Sequence, residues 1–323
     1  MTGGAPAGLF VSWAPFSRRT ETLAQRFDLD LRFVTTPWPK RPLMIPVKYP
    51  WQAAETVRLL RGDRHRELWV MDPPSPLVAI VGAVARRRRL PLVVDMHTVA
   101  FYAREWKLLR PLELRSLRVA AAVVVTNESL ARRVRSWGVR AFVLPDPLPK
   151  PPAGLGEPGA GGEVTVVATY SKDEPLQLLP EVARRLPDLR FAVTGDPHGD
   201  LSAWPANLRP TGFLDDDDYW RQLQGSSAVV VLTMRRDTLL SGGYEAMVLG
   251  RPLVTSDHEV LRDYFGDAAQ YAEPTASSLA SATVSALDRA EVLQSRLRAL
   301  RGRRAAEWQR AAARLDALVR GSR

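Results

Sequence analysis

"SAVVVLTMRRDTLLSGGYEAMVLGRPLVTSD", residues 227–257, reads as one complete structural unit. An apolar run (227–233) leads into a polar loop with two glycines. A helical stretch, "YEAMVLG", follows and is closed by Gly250 and Pro252. A second apolar run, 251–257, completes it. Both runs are rich in β-branched residues and apolar on both faces, as parallel strands buried between helix layers are. Strand, loop, helix and strand in this order make the repeating unit of a doubly wound α/β sheet.

The same alternation extends in both directions. Strand candidates in the first half are 8–13, 31–36, 67–72, 90–96, 121–127 and 141–146; in the second half they are 163–170, 189–196, 227–233 and 251–257. Helical segments such as "TETLAQRF", "WQAAETVRLLRG", "ESLARRVRSWG", "LQLLPEVARRL" and "DDDDYWRQLQ" separate them. Between the halves lies "PLPKPPAGLGEPGAGG", 147–162, in which ten of sixteen residues are proline or glycine. Neither helix nor central strand tolerates that density. The expected division is an N-terminal Rossmann-like domain at 1–148, a linker at 149–162, a C-terminal Rossmann-like domain at 163–302, and a helix at 303–323. In that last stretch Leu315, Leu318 and Val319 form the buried side. Ligands of such sheets bind at the carboxyl ends of strands.

The 323 residues suit two domains. The chain has no cysteine, which excludes disulfides, thiolate metal sites and a cysteine nucleophile. No apolar run approaches the roughly 18 to 20 residues that span a bilayer, and the first residues do not resemble a signal peptide. A cytoplasmic location is expected, with the inner membrane face as a second place. The charge is uneven: residues 1–150 hold 25 Lys and Arg against 12 Asp and Glu, whereas 151–323 hold 20 against 23. A basic first half suits an anionic partner, although arginine is abundant throughout.

The loop of the opening stretch carries the chemistry. Ser241, Gly242 and Gly243 open a helix, where free N–H groups and the dipole favour an anion and glycines let the backbone approach it. A plainer reading is a turn, with Glu245 in the first helical turn because acids suit that end. Seven residues separate Asp237 from Glu245, across the glycines. With the following "EAMVLGRPLVTSDHEVLRDYFGDAAQYAEP", this resembles the retaining GT-B glycosyltransferases of the family 4 type, over some forty residues in order. The usual first acid of that motif is Glu, so Asp237 is one methylene shorter.

The resemblance implies a GT-B fold: two Rossmann-like domains facing a cleft, with a C-terminal helix crossing back to the first. It implies transfer of a sugar from a nucleotide diphosphate sugar, UDP first, to an acceptor hydroxyl with retention of configuration. In this family the second acid holds the ribose, a role carried to Glu245. Asp237 with Thr238, Leu239, Leu240, Ser241, Gly242 and Gly243 would hold donor sugar and diphosphate. Cations for the diphosphate would be Lys172 in "TYSKDE" and Arg235 or Arg236. Gly212, Phe213 and Leu214 match the turn that meets the nucleobase.

In the first half, "LVVDMHTVAF" places Asp95 and His97 past a strand, and the family resemblance gives His97 to donor sugar or acceptor. The first loop, "SWAPFSRRTETLAQ", lacks the family's glycine; Arg18 and Arg19 would compensate or face the acceptor. Thus His97 and Asp237 are the catalytic candidates. No metal or cofactor is expected, since Asp215 to Asp218 open a helix and read as caps. Acceptors can be small molecules, lipid-linked compounds or glycans, in surface glycan, glycolipid or secondary-metabolite synthesis. The segment 101–118, mixing aromatic and basic residues, reads either as an anionic-membrane surface or as an ordinary amphipathic helix. Two other functions stay open. A nucleotide-sugar epimerase would share the fold. A nucleic-acid-binding protein would use the basic half, but it leaves Asp237 and Glu245 unexplained and is not expected.

Overall fold

A computed structural model describes residues 6–36, 45–62, 64–102, 104–155, 162–197 and 201–321. The chain forms two compact units: one comprises Met1–Pro147 with Trp308–Arg323, the other Leu148–Glu307. Of the proline- and glycine-rich linker, residues 156–161 lie outside the described residues, and 149–155 carry neither helix nor strand.

Unit 1 is a six-stranded parallel sheet with helices between the strands. In chain order its elements are β1 (Gly8–Ser12), α1 (Arg18–Phe27), β2 (Leu29–Phe33), α2 (Ile45–Gly62), β3 (Leu68–Asp72), α3 (Ser75–Arg88) and β4 (Leu92–Met96). Then come α4 (Arg110–Leu117), β5 (Ala122–Val125), α5 (Glu128–Ser136) and β6 (Ala141–Val143). The strand order is β2-β1-β3-β4-β5-β6, so the winding reverses direction at β1. Strands β1, β3, β4 and β5 are buried along their whole length, which is why each is largely apolar or β-branched, with Ser12, Asp72 and Asp95 as the polar exceptions towards the carboxyl ends.

Unit 2 repeats the plan. It contains β7 (Val164–Val167), α6 (Leu179–Arg185), β8 (Phe191–Thr194), β9 (Leu208–Gly212), α7 (Asp216–Gln224), β10 (Ala228–Val231) and α8 (Ser241–Leu249). After these follow β11 (Leu253–Ser256), α9 (Glu259–Phe265), β12 (Ala269–Ala272), α10 (Ala276–Asp288) and α11 (Ala290–Arg320). The order β12-β11-β10-β7-β8-β9 reverses at β7, which pairs with β8 on one side and β10 on the other.

Two strands of unit 2 lay outside the sequence expectation. Both are outer strands. β9 contains Pro210 and is exposed at Arg209 and Pro210, as an edge position permits. β12 is four residues long and only half-buried at its centre. The strand expected at 31–36 begins earlier, at Leu29. The segment 101–118 is not one amphipathic helix: two 3₁₀ turns, Thr98–Phe101 and Arg104–Leu109, precede the eight-residue α4.

The 31-residue α11 starts in unit 2 and ends in unit 1. Its last turns present Trp308, Ala311, Ala312, Leu315 and Val319 to Phe10, Leu23, Phe27, Trp69, Val93 and Val124. Leu318 is partly buried against the same cluster. The Trp308 indole donates to the Pro145 carbonyl at 3.0 Å.

Two features fix the ends of the strands. In unit 1 the buried Arg19 donates to Asp95 (2.8 Å), Asp146 (2.7 Å) and the Leu144 carbonyl (3.1 Å), tying α1 to the ends of β4 and β6. Burial opposes the charge on both partners. It is outweighed in each: Asp95 and Asp146 hold Arg19 above its ordinary range, and Arg19 with His97 holds Asp95 down at about 2. Arg19, expected to compensate for the missing glycine or to face the acceptor, is therefore spent inside the fold. In unit 2, α8 sits low on the sheet. A Cβ on Gly242 would lie 3.0 Å from Val167 and 3.1 Å from Val231, and one on Gly243 would lie 2.8 Å from the Phe265 ring.

Removing Arg19 would leave Asp95 charged and buried. Arg19→Met should destabilise by about 3–5 kcal/mol in urea melts at pH 7, and adding Asp95→Asn should recover part of the loss. Because the Asp95 carboxyl is depressed in the fold, its stabilisation is complete above the ordinary carboxylate range and disappears as pH falls to about 2. The wild-type melt should show this acid loss and the double variant should lack it. Gly243→Ala gains up to about 1 kcal/mol of helix propensity but loses about 1–3 kcal/mol to overpacking against Phe265. Net destabilisation is expected in the same melts, and a net gain would show that the ring yields freely.

Candidate active site

In unit 2 the reversal at β7 puts two loops side by side: residues 168–175 after β7 and 232–240 after β10. Asp173 and Thr233 bind them together. Thr233 Oγ1 donates to Asp173 Oδ2 at 2.9 Å, the Met234 N–H donates to the Asp173 carbonyl at 2.6 Å, and Arg235 forms an ion pair with Asp173 at 3.0 Å. Burial raises the Asp173 carboxyl, but hydrogen bonds from Ser171 and Thr233 and the Arg235 charge bring it below its ordinary range. Thr233 also reaches the β11 loop. Its N–H donates to Ser256 Oγ at 2.9 Å, and its carbonyl lies 2.9 Å from His258 Nε2. Glu174 accepts from the N–H groups of Thr169 and Ser171 and so shapes the first loop.

This framework gathers most of the donor-side candidates. Lys172 is exposed on the first loop, one residue from Asp173. Arg235 is on the second, partly engaged by Asp173, so a diphosphate would share it with that carboxylate. Arg236 is exposed beside it. Asp237, Thr238, Leu239 and Leu240 are half-buried. The Thr238 hydroxyl is buried with no hydrogen-bond partner, the kind of group a bound ligand satisfies. Leu240 is the N-cap of α8 and gives it no side-chain cap, while Ser241 is exposed at the first position.

Glu245 corrects one expectation. It is not in the first turn of α8, which holds no acid, but one turn in. It is 4% exposed, and the Tyr219 hydroxyl of α7 donates to its Oε2 at 2.5 Å. A buried carboxylate aimed by a phenol is a positioned acceptor, so the preference of acids for helix starts does not account for it. Gly242 and Gly243 also have a different immediate reason from the one expected. Both have ordinary helical backbone and are glycines because valines of the sheet and the Phe265 ring leave no room.

The end of β9 places Gly212 in the left-handed region (φ 72°) and leaves Phe213 84% exposed, with Leu214 half-buried. Gly195 bridges to Gly212. With φ 93° and a Cβ position 2.4 Å from the Ala168 carbonyl, only glycine fits there. Asp215 accepts from the Asp218 N–H at 2.8 Å as the N-cap of α7, and Asp216 to Asp218 occupy its first turn.

In unit 1 the ends of β3 and β4 carry a second cluster. Asp95 Oδ2 lies 3.0 Å from His97 Nε2. Since Asp95 is ionised, it accepts, so Nε2 holds a proton, and in the neutral ring Nδ1 is the acceptor. The ring is one-quarter exposed. Next to it, Asp72 is 1% exposed, and its carboxyl faces the Glu113 carboxyl, with which it can bond only when one of the two carries a proton. Burial, then the neighbouring Glu113 carboxylate, pushes Asp72 far above the ordinary carboxylate range. Glu113 itself accepts from Ser75 and from Arg110 (2.9 Å). The first loop, with no glycine, closes on α2: Trp13 donates to Thr56 at 2.8 Å and stacks on Tyr49.

Sequence reading missed Asp173, Thr233, His258, Tyr219 and the Asp72–Glu113 pair. Only their positions just after apolar runs flagged Asp72, Thr233 and His258. Asp173 stood beside the lysine that drew attention, and nothing local marks Tyr219.

Comparison with known proteins bears on this geometry. Residues 9–146 match the model of the glycosyl transferase 4-like domain. No curated protein sequence matches the chain. Among solved structures, sucrose-phosphate synthase from Thermosynechococcus elongatus is 15% identical with a TM-score of 0.72, over 97% of this chain and 98% of that one. HepE from Anabaena, solved with UDP, is 13% identical with a TM-score of 0.70, over 96% and 99%. The N-terminal domain of a trehalose-6-phosphate phosphatase from Candida albicans is 10% identical with a TM-score of 0.68, over 100% and 98%. At these identities the likeness establishes the GT-B fold. With a glycosyl transferase 4-like domain in its first half and that fold over its whole length, the chain is a glycosyltransferase.

Proposed function

We propose that this enzyme transfers a sugar from a nucleotide diphosphate sugar, with UDP as the nucleotide, to an acceptor hydroxyl with retention of configuration. The carrying observation is the Asp173–Thr233 tie. It holds Lys172, Arg235, the orphan Thr238 hydroxyl and the start of α8 around one strand reversal, where doubly wound sheets bind ligands. In this reading Lys172, Arg235 and the α8 N–H groups take the charge that grows on the leaving diphosphate. Glu245 accepts from the ribose, Phe213 and its neighbours meet the base, and Asp237 contacts the sugar. HepE has been solved with UDP and with UDP-glucose, which supports the choice of nucleotide.

The acceptor belongs to unit 1. His97, with Nδ1 turned away from Asp95, receives a hydrogen bond from a second hydroxyl of the acceptor and so aims the reacting hydroxyl, whose own proton stays free for the leaving group. The bond from the anomeric carbon to the diphosphate breaks and the bond to the acceptor oxygen forms on the same face. The acceptor proton passes to the departing phosphate oxygen. No helix of the described residues is long and apolar enough to cross a membrane. Leu108 (92% exposed) and Leu112 (47%) stand near Arg110, Arg115 and Arg118, a surface suited to lipid-linked acceptors or an anionic membrane.

A thermal-shift series with UDP, GDP, dTDP and ADP tests the donor side. UDP at 100 times its Kd should stabilise by about 2.7 kcal/mol, and Glu245→Gln should weaken it about tenfold or more. If no nucleotide raises the melting point, the donor reading fails. His97→Ala should lower kcat about 100-fold while leaving the UDP shift intact. Incubation with UDP-sugar alone should slowly release UDP and free sugar; conversion to an isomeric UDP-sugar would instead reveal an epimerase.

A further inference from the structure

The end of the unit 1 sheet opposite Asp72, Asp95 and His97 is where β4, β5 and β6 begin. A cavity of about 450 Å³ lies there, within the size range of small-molecule sites. Its lining includes Arg89, Arg118 and Arg140 and no acidic residue. Arg89 ends α3 in the left-handed region at φ 58°, Arg118 caps α4, and Arg140 directly precedes β6. All three are exposed.

Their present partners are weak. Arg118 Nε reaches the Trp137 carbonyl at 3.4 Å and Arg140 Nη1 the Ala121 carbonyl at 3.5 Å, both near the limit for a hydrogen bond. No ion pair involves any of the three among the described residues. Each guanidinium carries five donors, so most of the fork geometry remains unused. An arginine at a helix end can simply answer the dipole, but a helix terminus offers only about half a charge. Three gathered guanidinium groups exceed that and repel one another.

We infer that this cavity is a second anion site, which takes a phosphate monoester or diphosphate group. Such a group carries about two or more negative charges at neutral pH and several strong acceptor oxygens, against about one charge for a carboxylate. Guanidinium forks match it bidentately. The site is separate from donor chemistry, which such sheets conduct at the other, carboxyl ends of their strands. It also gives a use to the "ARRRRL" run and to part of the basic excess of the first half.

The test titrates full-length protein with inorganic pyrophosphate by calorimetry at about 0.15 M salt, where surface charges are screened beyond about 8 Å. A parallel arm sediments it with vesicles of phosphatidylglycerol and phosphatidylcholine. The variant is Arg89→Gln/Arg118→Gln/Arg140→Gln. The control, Arg61→Gln/Arg87→Gln/Arg314→Gln, removes equal charge from exposed positions elsewhere in unit 1. Expected is a loss of about tenfold or more in pyrophosphate affinity in the first variant and little change in the control. Loss of vesicle binding alone in the first variant supports the same site with a lipid headgroup as the source of the phosphate. If both variants behave alike with both probes, the site does not exist. Circular dichroism melts of each variant confirm folding, and an Arg→Lys triple variant that restores binding would show that charge rather than fork geometry suffices.

Discussion

Two loops that leave neighbouring strands for opposite sides of a sheet have no covalent reason to stay together. In unit 2 the Asp173 carboxylate and the Thr233 hydroxyl supply that reason. Asp173 accepts from Thr233, pairs with Arg235 and receives the Met234 N–H on its carbonyl, so the β7 loop cannot move without the β10 loop. Thr233 passes the constraint to Ser256 at the end of β11 and to His258 beyond it. Most of what is assigned to the donor hangs on these loops: Lys172 on one, Arg235 to Leu240 on the other, and α8 immediately behind, while Gly212 to Leu214 stand at the end of β9. Using a carboxylate as the tie has a consequence. Burial raises the carboxyl, while hydrogen bonds from Ser171 and Thr233 and the Arg235 charge bring it below its ordinary range, so the arginine proposed for the donor is one that this tie already uses.

Unit 1 solves a different problem at the same place in its sheet. Asp72 and Asp95 end adjacent strands, and their surroundings push them in opposite directions. Asp95 has a buried guanidinium and an imidazole and remains charged; Asp72 has burial and a second carboxylate and is pushed towards its neutral form. The charge on Asp95 also raises Asp72, so the two are one arrangement. Here the split fixes the tautomer of His97, because only an ionised Asp95 compels Nε2 to keep its proton.

The sequence made the central strands legible because burial on both faces leaves no choice but apolar, β-branched residues, as in "AAVVVTN" and "SAVVVLT". The outer strands β9 and β12 escaped notice because an edge lifts that constraint; Pro210 would be unacceptable in the middle of the sheet but not there. Local chemistry was legible too, including the cap at Asp215 and the spacing of Asp237 and Glu245. Partnerships across the chain were not. Thr233 and Asp173 are sixty positions apart and Arg19 and Asp95 seventy-six. An arginine destined for an internal carboxylate looks, in sequence, the same as one destined for a phosphate. Arg18 and Arg19 are adjacent, yet one is exposed and the other is buried in three hydrogen bonds.

The glycines of α8 join the two kinds of information. Read locally, they suggested backbone close to an anion. Their contacts show backbone close to Val167, Val231 and Phe265 instead. These are consequences of one geometry. A side chain at Gly242 would push the helix off the ends of β7 and β10, and its N–H groups would rise away from the loops that carry Lys172 and Arg235. Close packing of helix on sheet is what makes the helix start available at the strand ends. The same seating turns the second turn of α8 towards α7, where Tyr219 reaches Glu245. Thus the spacing from the glycines to Glu245 is set by helix geometry: in the proposed donor complex the N–H groups of the first turn would serve one part of the ligand, and a carboxylate one turn later another.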